Sequence, residues 1–117
     1  MTETKWRSRT AIDGPWRAAQ RMQLRAAGLD DEAIAKPFVG VVHTQSEVSP
    51  CGMSLAPQAA QAKIGVEVAG ATAREFTTVS ISDMWTVVHE HGPQFSLISR
   101  EVVADSVELV LQGQCYD

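Results

Sequence analysis

An α/β fold built on one parallel strand–helix–strand unit, flanked by helices, is what this sequence predicts. Three observations carry the prediction. Two short runs rich in apolar and β-branched residues, Phe38–Thr44 and Glu75–Ser82, read as strands. Between them, Leu55, Ala59, Ala62, Val66 and Ala69 recur along one face of a helix starting after Ser54. The first run is continuously apolar rather than alternating, as expected of a strand covered on both faces of a parallel sheet. A unit of this kind should be right-handed.

Composition bounds the class. The chain has 117 residues, 44% hydrophobic and 21% charged, which fits one small globular domain. A net charge of −4 argues against a general nucleic-acid binder, whose surface would be basic. No apolar run approaches the roughly 18–20 residues that cross a bilayer. The opening MTETKWRSRT is polar and has no signal-peptide core, so the expected location is the cytoplasm, away from any membrane.

Taken in order, residues 1–12 read as an extended arm. Asp13-Gly14-Pro15 starts a helix, with proline at the first helical position, that runs to Ala27 and stops at Gly28. Its Arg17, Arg21 and Arg25 form a basic stripe, read either as a solvated face or as a contact with an acidic neighbour or substrate. A short helix follows from Asp30 to Lys36, with acidic residues in its first turn and Pro37 closing it. After the first strand comes Thr44–Leu55, TQSEVSPCGMSL, with Cys51 between Pro50 and Gly52. Loops at the carboxyl ends of parallel strands are where α/β proteins bind ligands. Ser54 is the expected cap of the crossover helix, and Gly70 its stop. Asp83–Phe95 reads as a long irregular loop. A last helix begins at Ser96 or Ser99, buries Val103, Val107 and Val110, and ends near Gln112.

A strand–helix–strand–helix order calls for a further strand, and two strands alone leave both sheet edges open. Residues 1–117 therefore read as the incomplete N-terminal portion of a larger α/β domain. The remainder would come from downstream chain or from a partner subunit.

Cys51 and Cys115 show no zinc-type spacing, and a disulfide between them is not expected in a cytosolic protein. Two thiols fall short of the four ligands of a closed zinc site or an ordinary two-iron cluster. His89 and His91 share one side of an extended segment but have no evident third ligand, so they and Glu90 read as solvated loop residues. His43, at a strand end, reads as structural.

Several multi-residue stretches, in order from Ser8 to Asp117, resemble the dihydroxy-acid dehydratase/phosphogluconate dehydratase family. They include SRTAIDGPWRA at 8–18, LRAAG at 24–28, KPFVGV at 36–41, SEVSPC at 46–51, EFTTVSISD at 75–83 and SLISREVVADSVE at 96–108. The resemblance, closest to dihydroxy-acid dehydratase, implies a hydro-lyase that converts a 2,3-dihydroxy acid to a 2-keto acid in branched-chain amino acid synthesis. It implies an iron–sulfur cluster, the two-iron type favoured over the four-iron type, and Mg²⁺. The cluster would act as a Lewis acid on the leaving hydroxyl. By position, Cys51 matches a cluster ligand and Asp83 a Mg²⁺ ligand. A homo-oligomer acting on a small dihydroxy acid is the implied assembly.

The sequence also departs from the family pattern. The glycine-rich loop that follows the matching aspartate is here Met84-Trp85-Thr86-Val87-Val88-His89-Glu90-His91-Gly92. Gly52 stands where many members have asparagine. The family's Cys-Asp-Lys motif, third cysteine and catalytic serine are not among these 117 residues, so no catalytic residue is assigned and the isolated chain is expected to be inactive. Two alternatives stay open: a stand-alone degenerate binding or interaction domain, and part of a sugar-acid dehydratase.

Overall fold

Pairing between two six-residue strands organises the chain. In a computed structural model, which describes residues 6–117, β1 (Phe38–His43) runs parallel to β2 (Thr72–Thr77), in a register that sets Phe38 beside Thr72 and His43 beside Thr77. The crossover is α5 (Leu55–Val68), packed against both strands, so the α/β class and the parallel strand–helix–strand unit are as expected. Before β1 come α1 (Arg9–Ile12), a 3-10 turn at Pro15–Arg17, α2 (Ala18–Ala26) and α3 (Asp31–Ala35). The one-turn helix α4 (Pro50–Met53) precedes α5, while α6 (Asp83–Thr86) and the long α7 (Gly92–Gly113) follow β2.

Local chemistry accounts for most boundaries. Asp30 caps α3, its carboxylate accepting from the Ala33 amide at 2.8 Å. Gly28 and Gly70 end α2 and α5 with φ near +90°, and the amides one residue further on, Leu29 and Ala71, reach back to the Leu24 and Val66 carbonyls. Helix α7 ends the same way without glycine. Cys115 takes φ +55° and the Tyr116 amide donates to the Leu111 carbonyl.

Several details differ from the sequence reading. Residues 6–12 are not an extended arm: α1 forms there, and Ser8 is 1% exposed and bonded to Asp117; residues 1–5 lie outside the described residues. Strand β2 starts at Thr72 rather than Glu75 and ends at Thr77, because its partner ends at His43; the Thr78 amide makes the last rung to the His43 carbonyl. Val79 and Ile81, β-formers without a neighbouring strand, are left half-exposed. Ser54 does not cap α5 with its side chain, because α4 runs almost continuously into that helix; its hydroxyl instead accepts from the Gln58 side chain. Finally, α7 starts at Gly92, with Pro93 in its first turn and His91 in the cap position, ahead of both expected caps, Ser96 and Ser99.

The core lies at the amino end of the sheet. Ile12, Ile34, Phe38 and Tyr116 form its buried cluster, with Leu24, Leu29, Val110 and Leu111 packed against it. Of the β1 residues, Phe38 alone is fully buried, and Val42 is exposed, so the expected cover on both faces is only partly present. Val103, Val107 and Val110 are half-buried on α7 rather than buried, Val110 alone packing against the core cluster, and Leu109, Val88 and Trp85 are largely exposed. The radius of gyration is 17.6 Å, against roughly 13 Å for a compact chain of this length. These are the features of a portion of a larger α/β domain. Among the described residues no helix is long and apolar enough to cross a membrane.

Candidate active-site cleft

Both strands end at the same side of the molecule, and the segments leaving them wall a cleft of about 590 Å³. Thr44 and Cys51 come from the β1 side, Ser82 and Asp83 from the β2 side, and Ser99 and Arg100 from α7. The two residues assigned by resemblance, 32 positions apart in sequence, thus line one space. The parallel arrangement produces this, since it brings both strand-to-helix loops to the carboxyl end of the sheet.

Cys51 sits on α4 as an exposed free thiol. The loop before it is held close by Gly52, which is buried. A Cβ on Gly52 would lie 2.7 Å from the Ser46 carbonyl oxygen and 2.9 Å from its amide nitrogen. Those are backbone atoms, so a side chain there would push the Thr44–Ser49 segment outward. A glycine at position 52 thus lets the Ser46 backbone approach closely beside Cys51.

Asp83 opens α6. Its carbonyl accepts from the Val87 amide at 3.0 Å and the Thr86 hydroxyl at 3.2 Å, while its carboxylate makes no hydrogen bond or ion pair among the described residues. The segment read as an irregular loop thus begins with one helical turn, stays non-helical over 87–91 and ends in the first turn of α7, and the Asp83 carboxylate is left without a partner among the described residues. Its closure depends on Gly92: a Cβ there would fall 1.7 Å from the Thr86 carbonyl oxygen.

Helix α7 supplies the groups that the sequence reading passed over. Ser96 and Ser99 donate their hydroxyls to the Pro93 and Ser96 carbonyls, which leaves each hydroxyl oxygen with acceptor capacity. Arg100 is the one cation lining the cleft and has no carboxylate partner among the described residues. A readable signal existed: Ser96, Ser99, Arg100 and Val103 fall at helical spacing of three and four.

Other candidates lie elsewhere. The His43 ring accepts from the Gln45 amide at Nδ1 (3.2 Å) and meets Glu75 through Nε2 (2.9 Å), which fits a neutral ring donating to the carboxylate. Glu75 also accepts from Lys63 at 3.1 Å. The bonds from His43 and Lys63 hold the Glu75 carboxyl below its ordinary value. His43 is thus a structural tie between strand and loop. His89, Glu90 and His91 are exposed in the turn between α6 and α7 and do not line the cleft. Arg21 donates to the Ile12 and Gly14 carbonyls and Arg25 pairs with Asp31, so two of the three stripe arginines fasten their own region.

One thiol and one carboxylate are a soft and a hard donor, suited respectively to iron–sulfur and to Mg²⁺. Neither is a complete ligand set. Among the described residues no three His, Cys, Asp or Glu side chains come together as a metal site. The residues present fit one ligand position for each group and no more.

Comparison with known proteins places these observations. The dihydroxy-acid/6-phosphogluconate dehydratase N-terminal family matches residues 36–117. The chain is 54% identical over 113 residues to dihydroxy-acid dehydratase 3 of Bradyrhizobium diazoefficiens, an alignment covering 97% of this chain and 19% of that protein. It is 48% identical to dihydroxy-acid dehydratase 2 of Bordetella bronchiseptica over 100% of this chain and 20% of that protein. A dihydroxy-acid dehydratase of Roseiflexus sp. is 46% identical over 99% of this chain and 21% of its own length. The chain spans about a fifth of the length of the curated relatives it matches.

Proposed function

Because this chain belongs to the dihydroxy-acid/6-phosphogluconate dehydratase family, as its N-terminal part, we propose that it supplies one wall of a hydro-lyase site acting on a 2,3-dihydroxy acid. The single observation that carries the reading is the convergence of Cys51 and Asp83 on one cleft at the carboxyl end of the sheet. In this reading Cys51 gives a thiolate to an iron–sulfur cluster and Asp83 a carboxylate to Mg²⁺. When bound, these groups would supply Lewis acidity toward the leaving hydroxyl and toward negative charge on the acid side of the substrate. Arg100 anchors the substrate carboxylate, and the Ser96 and Ser99 oxygens accept from its hydroxyls. The product is a 2-keto acid, in branched-chain amino acid synthesis; the sugar-acid branch of the family is the neighbouring substrate class. The remaining ligands and the proton-transferring groups lie outside these 117 residues, so the isolated chain is inactive. The protein works in the cytoplasm as a homo-oligomer, which would cover part of the exposed apolar surface.

The test is a chimera in which this chain replaces the aligned fifth of the Bradyrhizobium relative. It should bind iron and sulfide and release a 2-keto acid from 2,3-dihydroxy-3-methylbutanoate, and both Cys51→Ser and Asp83→Asn should abolish turnover. A folded, cluster-loaded chimera without turnover would sink the proposal.

One observation favours a second reading. Met84, Trp85, Val87 and Val88 are all exposed where the family pattern carries glycines. That apolar turn suits a degenerate domain that binds a partner protein, and the inactive chimera would favour it.

A further inference from the structure

We infer that the open edge of β1, the one away from β2, is the docking edge for a third parallel strand. In a polypeptide of the relatives' length, the residues following position 117 take that edge, giving the spatial order β2–β1–β3. The inference rests on hydrogen-bond parity. Along a strand, the N–H and C=O of one residue point to the same edge, and successive residues alternate between edges. The Thr72 amide donates to the Pro37 carbonyl and the Thr78 amide to the His43 carbonyl, so odd-numbered β1 residues face β2. Phe38, Gly40 and Val42 therefore face the open edge.

Asp117 already occupies the first position there. Its amide donates to the Phe38 carbonyl at 2.9 Å, and its Oδ2 accepts from the Phe38 amide at 2.8 Å. Two residues earlier, the left-handed Cys115 turns the chain out of α7 and aims it at this edge. The next rung of a parallel ladder would join the Gly40 amide to the Asp117 carbonyl, the one after would end on the Gly40 carbonyl, and the third would engage the Val42 amide. Handedness agrees independently. Helix α5 covers one sheet face, while Leu111 and Tyr116 contact Gly40 from the other. A right-handed crossover carried on that opposite face must travel back past β1 rather than outward from β2. A strand so placed ends beside Thr44, at the mouth of the cleft that holds Cys51, so the residues after it would reach the thiol before reaching Asp83.

Amide hydrogen exchange on two proteins tests this: the 117-residue chain, and the same chain lengthened by the residues that follow the aligned stretch in the Bradyrhizobium relative. In the lengthened chain the Gly40 and Val42 amides should slow by about tenfold or more, while Ala73, Glu75 and Thr77, which face the outer edge of β2, keep their rates. Slowing at Ala73, Glu75 and Thr77 instead, equal slowing at both edges, or no change at either would overturn the inference. Because exchange reads pairing and not turnover, its result is independent of the chemistry proposed above.

Discussion

Ser8 and Asp117, 109 positions apart, are joined by two hydrogen bonds: the Ser8 amide to Oδ1 at 2.8 Å and the Ser8 hydroxyl to Oδ2 at 2.6 Å. Since Oδ2 also accepts from the Phe38 amide, one carboxylate ties α1, β1 and the end of α7 to a common point beside the core. Asp117→Ala should therefore destabilise the fold by about 1.5–3 kcal/mol, the range for hydrogen bonds to a charged acceptor. Ser8→Ala should cost less, since one amide bond survives. Urea unfolding of the three proteins measures both.

The same carboxylate sets an acid limit. Burial pushes the Asp117 carboxyl up, but the bonds from Ser8, Phe38 and Arg7 outweigh it and leave it below its ordinary value. Glu75 is lowered as well, by His43 and Lys63. A carboxyl whose folded value is depressed contributes stability that is fully present above its unfolded value, about 4. That contribution is lost as pH falls through the folded value. Unfolding midpoints should be flat in this respect above about pH 5 and fall below pH 4. In Asp117→Asn the fall should be shallower. An equal fall in both proteins would contradict the assignment.

Gly92→Ala should be among the costlier single-methyl changes in the chain. Its new Cβ collides with the Thr86 backbone carbonyl, and backbone cannot swing aside as a side chain can. Overpacking of this kind costs about 1–3 kcal/mol. The α6 turn carrying Asp83 should loosen with it, visible as faster exchange of the Thr86 and Val87 amides. Gly113→Ala on the same helix meets nothing within 4 Å and serves as the control.

Arg100→Gln should weaken acid binding rather than chemistry. In the chimera it should raise KM for the dihydroxy acid by roughly ten- to a hundredfold, the equivalent of one charge-assisted hydrogen-bond pair. kcat should change far less, and Arg100→Lys should recover part of the loss. A fall in kcat at unchanged KM would place Arg100 elsewhere in the account.

Much of this fold was legible because local signals agreed with tertiary context. Phe38–His43 is a short apolar run, Gly28 and Gly70 sit at helix ends that need positive φ, and the acidic first turn and Pro37 bracket α3. What was not legible depends on long-range partners. Ser8 looked like part of an arm because its partner is at the far end of the chain. β2 was misplaced by three residues because Thr72 and Ala73 are strand by pairing with β1, whereas Val79 and Ile81 have propensity but no partner. In the cleft, Cys51 and Asp83 came from motif resemblance. The contribution of α7 escaped because Arg100 was read as part of a helix motif rather than as a cation lining the cleft at the sheet end.

The claim at the centre is that Asp83 and Cys51 face one metal-accepting space. Substoichiometric Mn²⁺ added to the isotope-labelled chain reads this in a single NMR titration, by paramagnetic broadening. The account predicts broadening centred on Ser82–Met84 that extends across the cleft to Cys51–Gly52 and Ser99–Arg100, spares α2, and disappears in Asp83→Asn. Broadening that survives that substitution, or that leaves the Cys51 loop untouched, would contradict it.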